Sequence, residues 1–97
     1  MATLSETEVQ ERLADLDGWD IAKGDGPPSI EREFELADFA AALAFVNRVG
    51  ELAEAAGHHP DIVLHGWNKV RLTLSTHSQS GLTEADFDLA GQIDGLD

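Results

Sequence analysis

The apolar positions of this chain change period several times, and each change marks an element. Near the start, Val9, Leu13 and Leu16 stand at i, i+4 and i+7, the stripe of a helix ending near Asp17 and Gly18. Ser5 and Glu8 form a capping box at its start, and Leu4 with Val9 supplies the hydrophobic staple. Trp19 and Ile21 then alternate as a short strand, and residues 23–28 (K-G-D-G-P-P) are a loop by composition. Ile30, Arg32, Phe34 and Leu36 share one face of the next strand, opposite Glu31, Glu33 and Glu35, so the two strands are expected to form a hairpin. Periodicity gives no reason for Arg32 on the apolar face.

A second helix opens at Asp38 and runs to about Ala56. Phe39, Leu43, Val46, Gly50 and Ala53 line one side of it, and Phe45, Val49 and Leu52 a second. That is more apolar surface than one sheet needs, which predicts a subunit interface on the second side, with deep burial as the competing reason. Gly57 can take the left-handed cap, and Pro60 cannot continue the helix. Strands over 61–67 and 69–77 follow, split by Gly66-Trp67-Asn68, which can turn. In the later strand Val70, Leu72, Leu74 and Thr76 fall on one face, and Lys69, Arg71, Thr73, Ser75 and His77 on the other. After a loop at 78–80, Leu82, Thr83, Asp86 and Phe87 repeat the staple-and-box pattern. The last helix carries Phe87, Leu89, Ala90 and Ile93. The order α-β-β-α-β-β-α predicts an α+β fold, a four-stranded antiparallel sheet with helices packed on one face.

Composition narrows the setting. Ninety-seven residues suit one domain, 1–97, and no apolar run approaches membrane-spanning length. The amino terminus is polar and acidic from Ser5 onward, unlike a signal peptide, and a cytoplasmic protein is the simplest expectation. Without cysteine, disulfides and thiolate metal sites are impossible. Nineteen acidic residues against six basic ones give a net charge of −13. Such a surface repels phosphate backbones, so direct nucleic-acid binding is not expected. The scarcity of lysine also fits adaptation to a high-salt cytoplasm, as in a halophile.

The chemistry gathers between residues 54 and 77, which hold all four histidines, His58, His59, His65 and His77. Imidazoles titrate near neutrality, so a convergent set can divide proton removal and proton delivery. Glu54 stands four residues before His58, the order that favours a carboxylate–imidazolium pair if the helix extends that far. A surface or helix-capping role for His58 and His59 is the alternative. Zinc is a further competitor, but H-x-x-x-H is missing and adjacent histidines rarely chelate one ion. Asp86 reads first as a helix cap, and Trp19 and Trp67 as core residues.

The succession of Glu54, His58-His59-Pro60, Trp67-Asn68 and Thr76-His77 resembles the signature of the pterin-4a-carbinolamine dehydratase family. The likeness extends to Gly81-Leu82-Thr83 and Asp86, and upstream to Gly18-Trp19, Ile30, Arg32, Phe34 and Phe39. It implies a lyase that removes water from a 4a-hydroxytetrahydropterin to give the quinonoid dihydropterin, with no metal and no organic cofactor. It implies His58, His59 and His77 as the acid–base set. Gly57, Pro60, Ser75, Thr76, Ser78 and Trp19 would bind the pterin, and Glu54 and Asp86 would support the histidines. A homodimer or homotetramer is implied as well. His65 has no counterpart and reads as a surface strand residue. Gly57 and Ala85 depart from the family pattern, where Asp or Asn and Arg are found. A different class of function, a non-catalytic module binding a protein partner through the second helix, fits the same apolar helix.

The charge itself gives a testable consequence. Self-repulsion among so many carboxylates is expected to destabilise the fold at low ionic strength. The melting temperature is then expected to rise as potassium chloride goes from millimolar to molar. A flat or falling curve would leave the acidity a matter of solubility alone.

Overall fold

The computed structural model describes residues 3–16, 18–22, 28–79 and 81–96, and the side chain of His77 lies outside that description. Helix α1 (Glu6–Ala14) begins at the expected capping box: Ser5 N–H donates to Glu8 Oε1 at 2.9 Å, and Glu8 N–H to Ser5 Oγ at 3.2 Å. It stops short of Asp17, because the Asp15 N–H turns back to Arg12 and Leu13 carbonyls and Leu16 N–H bonds Leu13. Val9 is nevertheless buried, with Leu4, Leu13 and Leu16 packed on the core.

The strands β1 (Asp20–Ile21), β2 (Ile30–Glu35), β3 (Asp61–His65) and β4 (Lys69–Leu74) form one antiparallel sheet in the order β1-β2-β4-β3. Both hairpins read from the sequence are present. Most of the loop expected at 23–28 lies outside the described residues. Register puts Ile30 against Leu74, Arg32 against Leu72 and Phe34 against Val70, and these apolar residues are buried. The opposite face carries Glu31, Glu33 and Glu35 beside Thr73, Arg71 and Lys69. His65 ends β3 on that open face and pairs with Glu33 across it.

The break in the apolar pattern at Arg32 has a structural cause. Arg32 intrudes on the apolar face because its Nη1 donates to Asp94 Oδ1 at 2.8 Å while its guanidinium lies 4.4 Å over the Phe34 ring. Trp19 is buried beside it, edge-on to Phe34, and its indole N–H donates to the same Asp94 at 2.9 Å. Asp94 ends helix α3 (Glu84–Asp94), so this cluster fastens the last helix to the first hairpin. A Cβ on Gly18, at φ 86°, would meet Arg32 Nε at 2.9 Å, so glycine is needed there for both space and backbone.

Helix α2 (Phe39–Ala56) opens on Asp38, whose side chain accepts the Ala41 N–H at 2.7 Å. Its apolar residues divide differently from the sequence expectation, because Phe45 and Val49 of the second side join Ala53 of the first in the core. Ala42, Phe45, Val49 and Ala53 face the core, whereas Phe39 (49 % exposed) and Leu43 (45 %) face solvent. An interface through Phe45 and Val49 is therefore excluded, since the sheet and α3 already occupy that side. Asn68 carries the β3–β4 turn against the start of α2: its Nδ2 donates to Leu36 O at 3.0 Å and its carbonyl accepts the Leu36 N–H. Trp67, read as core, is instead 61 % exposed at the turn, with φ 62°. No helix among the described residues is long and apolar enough to cross a membrane.

Two consequences can be measured. Val49→Glu puts an unpaired charge into the core and is expected to cost about 3–5 kcal/mol. That is a large share of the roughly 5–15 kcal/mol that holds a domain together. Loss of the cooperative melt, rather than dissociation of a folded assembly, is the outcome to look for. Secondly, Arg12 ties α1 to α3 through Glu84, and its hydrogen bond holds Glu84 below the ordinary carboxylate range. A depressed folded-state value gives stability that is whole at neutral pH and is lost as pH falls through it. Glu84→Gln is expected to lower the melting temperature slightly at neutral pH, with the gap from wild type closing in acid.

Candidate active site

The end of α2 sets the site. Gly57 is left-handed at φ 64°, its N–H bonds Glu54 O at 3.3 Å, and the His58 N–H bonds Ala53 O at 3.1 Å. This is a Schellman closure, and it takes the backbone out of helix at the residue where the histidines begin. Spacing from Glu54 therefore stops following the helical rule. Glu54 meets His59, not His58: their Oε2 and Nε2 lie 2.8 Å apart, and both side chains are mostly exposed. The expected Glu54–His58 pair is thus replaced by a pair one residue further on.

His58 turns inward. Its Nε2 lies 2.5 Å from Asp86 Oδ1, with the imidazole 14 % exposed and the carboxylate wholly buried. Oδ2 of Asp86 accepts the Thr76 hydroxyl at 2.8 Å and the Thr83 backbone N–H at 2.9 Å. Oγ1 of Thr83 lies 2.8 Å from Oγ1 of Thr76. Asp86 is the helix cap expected of it, and the same carboxylate also holds the histidine. A buried carboxylate is costly unless its oxygens are occupied, and here both are.

Thr76 brings the second motif segment to this point. Strand β4 ends at Leu74, short of the expected 77, because the Thr76 backbone exchanges hydrogen bonds with Gly81. His77 therefore begins a 3₁₀ turn, His77–Gln79, and the strand parity that would have aimed it does not apply. Its side chain lies outside the described residues. Ser78 is exposed on the turn, Ser75 Oγ donates to Pro28 O at 3.0 Å, and Pro60 is half-buried beyond the histidines. Trp19 stands in the core, 3 % exposed, with its N–H committed to Asp94, so it offers no face to a ligand in this chain.

The structure brings together His58, Asp86, Thr76 and the backbone of His77, with the His59–Glu54 pair beside them on the chain. It leaves His65 on the open sheet face and Trp19 in the core. Thr83 escaped notice as a site residue, although its place three residues before Asp86 in the capping box was the available signal. A cavity of about 560 Å3 lies elsewhere, between Leu4, Val9, Ile21, Pro28, Gln79 and Leu82, with no histidine in its described lining. Among the described residues no three His, Asp or Glu side chains are grouped so as to hold a metal ion.

Comparison with known proteins bears on the same segments. The family model for pterin 4 alpha carbinolamine dehydratase matches residues 2–96. A protein of Acidobacterium capsulatum, provisionally named a pterin-4-alpha-carbinolamine dehydratase, is 52% identical over 96 residues, 99% of each chain. The mitochondrial pterin-4-alpha-carbinolamine dehydratase 2 of Arabidopsis thaliana is 38% identical over 96 residues, which make up 51% of its length. Among solved structures, a transcriptional coactivator/pterin dehydratase from Brucella melitensis superposes with a TM-score of 0.86 at 38% identity, covering 97% of both chains. A pterin dehydratase-like protein identified as a RuBisCO assembly factor in the alpha-carboxysome gives 0.67 at 28% identity, over 81% of this chain and 88% of that one. With a match across nearly its whole length and half its residues shared with such relatives, the chain belongs to the pterin-4-alpha-carbinolamine dehydratase family.

Proposed function

We propose that this protein is a lyase that dehydrates a 4a-hydroxytetrahydropterin to the quinonoid dihydropterin, a step in tetrahydropterin recycling. The observation that carries the reading is the convergence on Asp86. One oxygen of its buried carboxylate holds His58, and the other holds Thr76, the residue before His77. Two motif segments far apart in sequence thus meet at one point.

The reaction asks little of a protein beyond placed proton carriers. A base takes the proton from the ring nitrogen beside the hydroxylated carbon. The nitrogen's electron pair closes a double bond to that carbon as the carbon–oxygen bond breaks. An acid protonates the departing hydroxyl, which leaves as water. Imidazoles suit both tasks near neutral pH, and His58, His59 and His77 are the set assigned to them. Gly57, Ser75, Thr76, Ser78 and Pro60 line the substrate in this reading, and Glu54 orients His59. Neither metal nor organic cofactor takes part. The protein works in the cytoplasm as a homodimer or homotetramer and makes no direct contact with nucleic acid.

A second reading has its own observation. Phe39 and Leu43 leave an apolar strip of α2 in solvent, where a protein partner could bind without any turnover. The solved relative described as a RuBisCO assembly factor is a case in which this fold is tied to another protein.

Steady-state dehydration of a 4a-hydroxytetrahydropterin, run with a strong chelator present, separates these readings. Wild type is expected to turn over. His59→Ala and His77→Ala are each expected to lower kcat by about a hundred- to ten-thousand-fold, the usual contribution of a general acid or base, at nearly unchanged melting temperature. His65→Ala, on the open face, is expected to change almost nothing. A folded wild type without turnover, or loss of activity in chelator, would overturn the proposal, and Leu43→Glu would then test the partner surface.

A further inference from the structure

The hydrogen-bond chain beneath His58 has a fixed direction. A carboxylate only accepts, so Asp86 Oδ2 takes the proton of the Thr76 hydroxyl as well as the Thr83 backbone N–H. A threonine hydroxyl has one proton to give. With that of Thr76 spent on Asp86, the 2.8 Å contact between the two threonines is made by Thr83 donating to Thr76. Every donor in the network therefore points towards the carboxylate, and Oδ1, also an acceptor, requires a proton on His58 Nε2.

We propose that this network holds His58 as its Nε2–H tautomer, so that Nδ1 is the nitrogen presented to the substrate. Asp86 and Thr83 are then positioning residues, which act on the substrate only through His58. The tautomer follows from the buried geometry alone. Its meeting with a pterin rests on the dehydratase reading.

The network also fixes what Asp86→Asn does. The Thr83 N–H belongs to the backbone and still needs an acceptor, so the amide oxygen must take the Oδ2 place. The amide NH2 then faces His58 Nε2, which has to accept, and the ring proton moves to Nδ1. Exchanging a carboxylate for its amide beside a histidine reverses the tautomer in this way in serine proteases.

Long-range proton–nitrogen correlation spectra of protein carrying 15N-labelled histidine read directly which nitrogen of the neutral ring carries the proton. Wild type is expected to show His58 as Nε2–H, and Asp86→Asn as Nδ1–H. A wild-type Nδ1–H ring, or an Asp86→Asn ring still protonated on Nε2, would overturn the proposal. Should Asp86→Asn fail to fold, the wild-type spectrum decides. For Thr83, Thr83→Val is expected to lower kcat about tenfold at unchanged KM, the order of effect of one lost buried hydrogen bond. Thr83→Ser, which keeps the hydroxyl, is expected to restore it, and a serine variant no better than valine would remove Thr83 from the scheme. The spectra need no pterin, so a protein with the expected tautomers and no turnover would count against the dehydratase reading and not against the network.

Discussion

A carboxylate with no access to water is the constraint on which this site depends. Asp86 has to be fully satisfied to be tolerated where it is, and its partners come from three places in the chain: the end of α2, the end of β4 and the start of α3. None of these segments is held to the others by regular backbone pairing alone. The Schellman closure at Gly57 releases His58 from the helix, and the Thr76–Gly81 bridge turns the chain away from the sheet. Both endings leave polar groups facing inward, and the carboxylate gathers them. Cap, histidine partner and loop anchor are thus one side chain.

A comparable economy fastens the other end of α3. Asp94 takes the Trp19 indole and the Arg32 guanidinium together, while Glu84 holds Arg12 of the first helix. The last helix packs its apolar side, Phe87, Leu89, Ala90 and Ile93, into the core, and Glu84, Asp86 and Asp94 tie it to other segments of the chain.

Much of this was legible in the residues. Caps at Ser5, Asp38 and Gly57, both hairpins and the element order follow from local rules that the tertiary structure does not override. What local rules missed shares a physical reason. The Glu54–His58 pairing rests on helical spacing past Gly57, where the helix has already ended. Arg32 on an apolar face and Thr83 beneath the site are explained by partners 62 and 7 residues away. No local period encodes such contacts. On α2 the pattern told that two sides were apolar but not which one the sheet would take, because both have the same spacing. That choice leaves Phe39 and Leu43 exposed on α2, as Ile62, Val63 and Trp67 are on the second hairpin.

Substrate is expected to meet the protein at the place Asp86 assembles. A crystal structure with a stable 7,8-dihydropterin tests it most directly. The pterin ring is expected within hydrogen-bonding distance of His58 Nδ1 and of the backbone at residues 76–78. A pterin seated instead in the cavity between Leu4, Ile21, Pro28 and Leu82, with His58 untouched, would contradict it.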